Sequence, residues 1–250
     1  MQEDSMPGRQ LEEPAGKRGE GHIAGRIDVF IICGLSSAGK DTLLSCAASG
    51  FLKGRPVRYL TKHTTRKLRS TEPAAPQLYH GSLPGLVEHV TRETLHSPGK
   101  YFGLFARYGN EYGFLRAELA TSFAKDGSSW IVAVYSACDT LRDFRDELTT
   151  LLEECKEKTR RTWPQREICI YPHWVLIDAP PTDCISRIGR RVLDKEAMAE
   201  KRRWNSTDAA ILERLRREAF FDCIVANGDS VPLESAMRSL EECLCEMARC

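Results

Sequence analysis

The 250-residue sequence has no apolar run long enough to cross a bilayer, so nothing in it predicts a membrane-spanning segment. It has almost no net charge: 36 basic residues stand against 35 acidic ones, a formal charge of +1. Bulk charge therefore gives no case for nucleic-acid binding, and any cationic site has to be local. No Cys-x-x-Cys pair occurs among the ten cysteines, and Cys243 and Cys245 stand too close together for ordinary zinc-ligand spacing. Cys33, Cys138 and Cys169 lie within apolar, strand-like runs. Reduced thiols acting as small hydrophobes in a cytoplasmic protein are the expectation. Residues 1–24 have few large apolar side chains and are rich in Glu, Gly, Arg, Gln and Pro, a composition that cannot bury enough surface to order itself. They also lack the apolar core of a secretory signal, and their acidic residues argue against a transit peptide. A disordered leader over 1–24 and one globular domain over 25–250 are expected.

The most informative stretch begins at Val29-Phe30-Ile31-Ile32-Cys33, an apolar, β-branched run that predicts a buried strand. It feeds Gly34-Leu35-Ser36-Ser37-Ala38-Gly39-Lys40, a G-x-x-x-x-G-K loop, and then Asp41-Thr42-Leu43-Leu44, which reads as the first turn of a helix. Strand, loop and helix in that order are the context in which such a loop wraps a phosphate. Gly34 and Gly39 let the backbone curl so that the N–H groups of the loop face inward, and the helix N-terminus adds partial positive charge. Lys40 then bridges the outer phosphates of a nucleoside triphosphate, for which ATP is the expectation, with Gly34, Ser36, Ser37, Ala38, Gly39, Lys40, Asp41 and Thr42 as its binding residues. Asp41 stands where a Ser or Thr usually follows the Lys. Either its carboxylate or the Thr42 hydroxyl is the candidate Mg²⁺ ligand, because Mg²⁺ takes oxygen donors.

Strand-like runs are expected at 29–33, 57–61, 130–135, 174–178 and 223–226, and helices at 41–48, 116–124, 141–158, 182–193, 208–218 and 233–247. Short apolar strands alternating with helices predict an α/β fold, a parallel sheet covered by helices on both faces. Two regions interrupt the alternation. Residues 62–115 mix basic residues, Pro, Gly and aromatics, as an inserted acceptor-binding segment would. Residues 187–217 are dense in Arg and Lys, and beside a phosphate loop such cations suit the charge that develops in phosphoryl transfer.

Downstream of the loop, His63-Thr64-Thr65-Arg66 is followed by Arg69, Glu72 and Tyr79, and then by Gly109-Asn110-Glu111-Tyr112-Gly113. With Phe221-Asp222 and Asn227-Gly228-Asp229 near the end, this order resembles the guanylate kinase family over roughly residues 27–245. The resemblance implies a P-loop nucleoside-monophosphate-kinase-like fold with an acceptor segment and an Arg-rich lid near 187–217. Arg66, Arg69, Tyr79 and Tyr112 would then hold the acceptor phosphate, since guanidinium forks match its oxygens. Arg187 and Arg214, with Arg190 and Arg191 beside the first, fall where the family keeps lid arginines, and with Lys40 they would be the catalytic cations. Where the family reads guanine, this chain has Lys62, Ala106, Ala133 and Tyr135. A base with an N1–H and an exocyclic amine needs a carboxylate to receive those donors, and Glu111 is the nearest substitute.

Gly39-Lys40-Asp41-Thr42-Leu43-Leu44 and Arg58-Tyr59-Leu60-Thr61 resemble ribose 1,5-bisphosphate phosphokinase, which forms phosphoribosyl pyrophosphate. The expected activity is thus Mg²⁺- and ATP-dependent phosphoryl transfer to a small phosphorylated acceptor. Ribose 1,5-bisphosphate or a related sugar phosphate comes first and GMP second, with no nucleic-acid or membrane partner. A non-catalytic interaction module is the alternative from another class.

Overall fold

The computed structural model describes residues 23–52, 57–67, 87–123, 129–162, 164, 166–190 and 195–249. In chain order the first half comprises β1 (Ile23–Cys33), α1 (Lys40–Ser49), β2 (Val57–Tyr59), β3 (Lys62–Thr64), β4 (Val87–His89), α2 (Arg92–Leu95), β5 (Tyr101–Arg107), β6 (Asn110–Leu115) and α3 (Arg116–Ser122). The second half comprises β7 (Ser129–Val134), a 3₁₀ turn (Cys138–Thr140), α4 (Leu141–Thr162), β8 (Arg166–Asp178), α5 (Pro181–Gly189), α6 (Lys195–Arg217), β9 (Cys223–Ala226) and α7 (Leu233–Met247). Among the described residues no helix is long and apolar enough to cross a membrane.

Five strands form one sheet in the order β2-β7-β1-β8-β9, and every neighbouring pair is parallel. Parallel neighbours need long crossovers, which the helices supply. The central strand is covered on both faces, so Val29, Phe30, Ile31, Ile32 and Cys33 are all fully buried and the sequence there is continuously apolar. The chain passes β1 on one side to reach β7 and on the other to reach β8. The loop after β1 therefore sits where the strand order reverses, at the carboxyl end of the sheet, the usual crevice for ligands in open α/β sheets.

β1 is longer than expected and begins at Ile23, inside the last two residues of the anticipated leader. Its N-terminal half carries Asp28, which breaks the apolar pattern yet is only 2% exposed. Arg26 Nη2 donates to its carboxylate at 3.0 Å and His173 Nε2 lies 2.9 Å away, so the buried charge is compensated. β8 likewise starts at Arg166 rather than at residue 174.

The anticipated inserted segment is built around a second sheet of order β4-β3-β6-β5, with β3 and β4 parallel and the other pairs antiparallel. An aromatic cluster joins it to the large sheet: Tyr135, just past β7, stacks on Phe144 of α4 at 4.0 Å and meets Phe105 of β5 at 4.8 Å. Two further expectations need correction. α6 begins at Lys195 instead of residue 208, because its Lys-, Arg-, Glu- and Ala-rich first half consists of good helix formers rather than lid loop. Cys223 and Cys243 are bonded to each other as a disulfide between β9 and α7, where reduced thiols were expected.

Candidate active site

The phosphate loop is held from three sides. Gly34 has φ +143°, and a Cβ there would fall 2.4 Å from the Ile177 carbonyl oxygen of β8, so the loop can lie this close to the sheet only with glycine. Gly39 has φ +91°, and its missing Cβ leaves room for Asn227 Nδ2, which donates to Ala38 O at 2.6 Å from behind the loop. From the front, Asn205 of α6 pairs with Ser36: the Ser36 N–H donates to Asn205 Oδ1 at 3.1 Å, and Asn205 Nδ2 donates to Ser36 O at 2.9 Å. Lys40 is buried and folds back over the loop, donating from Nζ to Gly34 O at 2.7 Å and Leu35 O at 2.8 Å.

A cleft of about 200 Å³ opens between this loop and the small sheet. Ser36, Ser37, Gly39, Lys40, Asp41 and Thr42 form the loop side. Gly34 and Ala38 shape the loop without lining the cleft. Across from them stand Lys62 of β3, Arg66 just after it, and Tyr112 of β6, whose ring stacks on Phe105 at 5.0 Å. Lys62 Nζ reaches Ser136 Oγ at 3.4 Å. The sequence thus brings Arg66 and Tyr112 to the same cavity as Lys40. Arg69, Tyr79 and Arg191 lie outside the described residues.

The arginines expected to form a lid are placed differently. Arg187, on α5, braces the back of the loop: its Nε donates to Asp229 at 2.8 Å, Nη2 to Asn227 O at 2.8 Å and Nη1 to Ser37 O at 3.4 Å. Arg190 is exposed, with Asp229 at 4.0 Å. Arg214 is exposed on α6, off that helix's buried face, and does not line the cleft. Glu111 cannot stand in as a base reader here, because Arg92 at 2.6 Å and His96 at 2.9 Å draw its carboxylate away from the cavity. Tyr135 is core, with its hydroxyl 2.8 Å from Thr140 Oγ1.

Residues that motif reading passed over complete the site. Arg107, at the end of β5, lines the cleft and is buried. Its Nη1 donates to Asp139 at 3.0 Å and its Nη2 to Asp208 at 3.2 Å, while the guanidinium lies 4.2 Å from the Trp204 ring centre. Asp139 also accepts a second, short bond from Arg107 Nη2. Burial pushes the Asp208 carboxyl up to about 6, with Arg107 partly offsetting the penalty. Burial likewise pushes the Tyr108 hydroxyl up to about 12. Lys201 of α6 lines the same cleft and is 7% exposed. The signal for these was not a motif but charged residues recurring at helical spacing on α6, at 201 and 208 with Asn205 between.

Asp41 and Thr42, both exposed in the first turn of α1, present a carboxylate and a hydroxyl to the cleft. Among the described residues no cluster of three or more His, Cys, Asp or Glu is placed to hold a metal. Mg²⁺ is usually held by one or two protein oxygens plus phosphates and water, and this donor set fits it.

A parallel five-stranded sheet flanked by helices, with a glycine-built phosphate loop at the end of its central strand, defines an α/β P-loop kinase-like fold. The sequence matches no protein-family profile and no curated protein. Among solved structures the chain is similar to a guanylate kinase from Anaplasma phagocytophilum, at 14% identity and a TM-score of 0.48 over 88% of this chain and 85% of that one.

Proposed function

We propose that this chain is an ATP-dependent phosphotransferase acting on a small acceptor that already carries phosphate, with ribose 1,5-bisphosphate or a related sugar phosphate as the first candidate. The supporting observation is the charge of the cleft. Lys40, Lys62, Arg66, Arg107 and Lys201 line it, and among the described residues Asp41 is the one carboxylate on its wall. A cavity so lined suits a bound triphosphate facing a phosphorylated partner, and among the described residues it offers no carboxylate on the acceptor side to receive the donors of a guanine.

The reaction needs no covalent protein intermediate, because positioning and charge stabilisation supply the rate. The loop N–H groups and Lys40 hold the β- and γ-phosphates, Lys40 exchanging its bonds to Gly34 and Leu35 carbonyls for phosphate oxygens. Arg66 and Tyr112 orient the acceptor so that one of its phosphate oxygens attacks the γ-phosphorus and ADP leaves. Arg69 and Tyr79 are proposed to join them from outside the described residues. Asp41 or Thr42 would hold Mg²⁺, which would supply charge neutralisation on the triphosphate.

A second reading, GMP as acceptor, draws on a different feature: the stacked Phe105 and Tyr112 rings both line the cleft and offer a flat apolar wall to a base. ADP release measured with ribose 1,5-bisphosphate, GMP and dGMP in turn separates the two. Turnover with the sugar bisphosphate alone supports the first reading, and turnover with GMP alone overturns it. A chain that binds no Mg-ATP in a calorimetric titration would instead be a non-catalytic interaction module.

A further inference from the structure

α6 borders the cleft at Lys201 and buries a stripe of side chains, Lys201, Asn205, Asp208, Leu212 and Leu215. Steps of four, three, four and three residues keep all five on one helical face. The chemistry changes along it: Leu212 and Leu215 enter the core, whereas the first three are polar or charged. Burying such groups costs free energy unless each is compensated. Asp208 meets Arg107 at 3.2 Å, and the Asn205 amide closes two hydrogen bonds on the Ser36 backbone. Lys201, one turn before Asn205, lies with its ammonium 4.8 Å from the Tyr108 ring centre and borders the same cavity as Lys40, Asp41 and Thr42. Asn205 and the Asp208–Arg107 pair therefore fix α6 at a height that presents Lys201 to the phosphate loop.

We propose that Lys201 is a catalytic cation, whose ammonium meets the oxygens of the transferring phosphoryl group, with Asn205 as the residue that positions it. This rests on the phosphotransferase reading above. Arg187 has its guanidinium committed to Asp229 and to loop and strand-end carbonyls, and Arg214 does not line the cleft, whereas Lys201 lines it together with Lys40. A buried ammonium, partly screened from water and held over an aromatic face, is pre-organised for developing negative charge.

The test compares Lys201→Met, which keeps volume in a buried position, with Lys201→Arg. Arg203→Ala serves as the control: it removes the same charge from an exposed position about 200° round the helix. Each variant is titrated with Mg-ADP, then with Mg-ADP plus aluminium fluoride as a mimic of the phosphoryl group in flight, and assayed for turnover. Lys201→Met should lower kcat about 10²–10³-fold and abolish the tightening of Mg-ADP by aluminium fluoride. Its Mg-ADP affinity should change no more than about threefold, the signature of an interaction made in the transition state. Lys201→Arg should restore part of both, and Arg203→Ala should match the parent chain. Aluminium fluoride tightening that survives Lys201→Met, or a loss shared equally by Mg-ADP binding, overturns the proposal while leaving the phosphotransferase reading intact. A parent chain that binds no Mg-ADP overturns both.

Discussion

The five-stranded and four-stranded sheets face each other across one cleft but are built by different means. The large sheet is held by apolar burial: its central strand has five consecutive residues, Val29 to Cys33, with no exposed surface. The small sheet has two strands of only three residues, and its longer strands are less completely covered: β5 exposes Leu104 and Ala106, and β6 is half-exposed at four of its six positions. Polar anchors fasten it beside the aromatic cluster of Phe102, Phe105 and Phe114. Thr61 donates from its backbone N–H and its hydroxyl to Glu118, both at 3.0 Å; the Gly103 N–H donates to Glu147 at 2.9 Å; Arg107 ties β5 to α6. A region with less buried apolar area and more exchangeable polar contacts opens at lower free energy. The loop side is therefore the fixed wall of the cleft, and the small-sheet side is the wall able to adjust to a ligand.

Substitutions that cut the anchors should break this contrast, beginning with Arg107. Arg107→Met leaves Asp208 buried without its cation, and urea unfolding should show a loss of about 3–5 kcal/mol. The double variant Arg107→Met/Asp208→Asn should recover most of it. A loss under about 1 kcal/mol in the single variant, the range of an exposed pair, would mean that the two elements are not fastened there. A smaller and more local effect is expected for Glu118→Ala: about 1–3 kcal/mol for unpaired Thr61 groups, read as faster amide exchange in β3 and β6 with β1 unchanged. Equal acceleration in both sheets would erase the distinction between the walls.

The smallest effect concerns pH. Burial raises the Asp208 carboxyl to about 6, so between its unfolded value and 6 the folded chain holds a proton that the unfolded chain has released. This carboxyl's contribution to stability is full below its unfolded value, near 4, and is lost as pH rises through about 6. Thermal melts from pH 4 to 7 should show Asp208→Asn flattening that part of the curve. A curve of unchanged slope would mean that Asp208 is not buried as described.

The same contrast explains what could be read from the residues alone. A strand buried on both faces leaves a continuous apolar run, and a G-x-x-x-x-G-K loop has few conformations that satisfy its glycines, so β1 and the loop were legible from residues 29–42. The small sheet was not. Three-residue strands are too short to display a period, and β5 is interrupted by Gly103, whose φ of +59° accompanies a register shift between Phe102 and Phe105. α6 misled in another way: its charged first half reads as a solvated lid, although Lys201, Asn205 and Asp208 already fall on the face shared with Leu212 and Leu215. Arg214 is off that face, which is why matching it to a family position did not bring it to the cleft. The Cys223–Cys243 bond joins residues 20 apart in sequence and carries no motif to announce it.

Phosphoryl transfer from the loop wall to an acceptor on the small-sheet wall is read by label transfer from ATP labelled at the γ-phosphate. Label should appear, in a Mg²⁺-dependent way, in added ribose 1,5-bisphosphate or a related sugar phosphate, reduced at least about 10²-fold by Lys40→Ala. Label that never reaches a phosphorylated acceptor, or transfer that Lys40→Ala leaves unchanged, would contradict it.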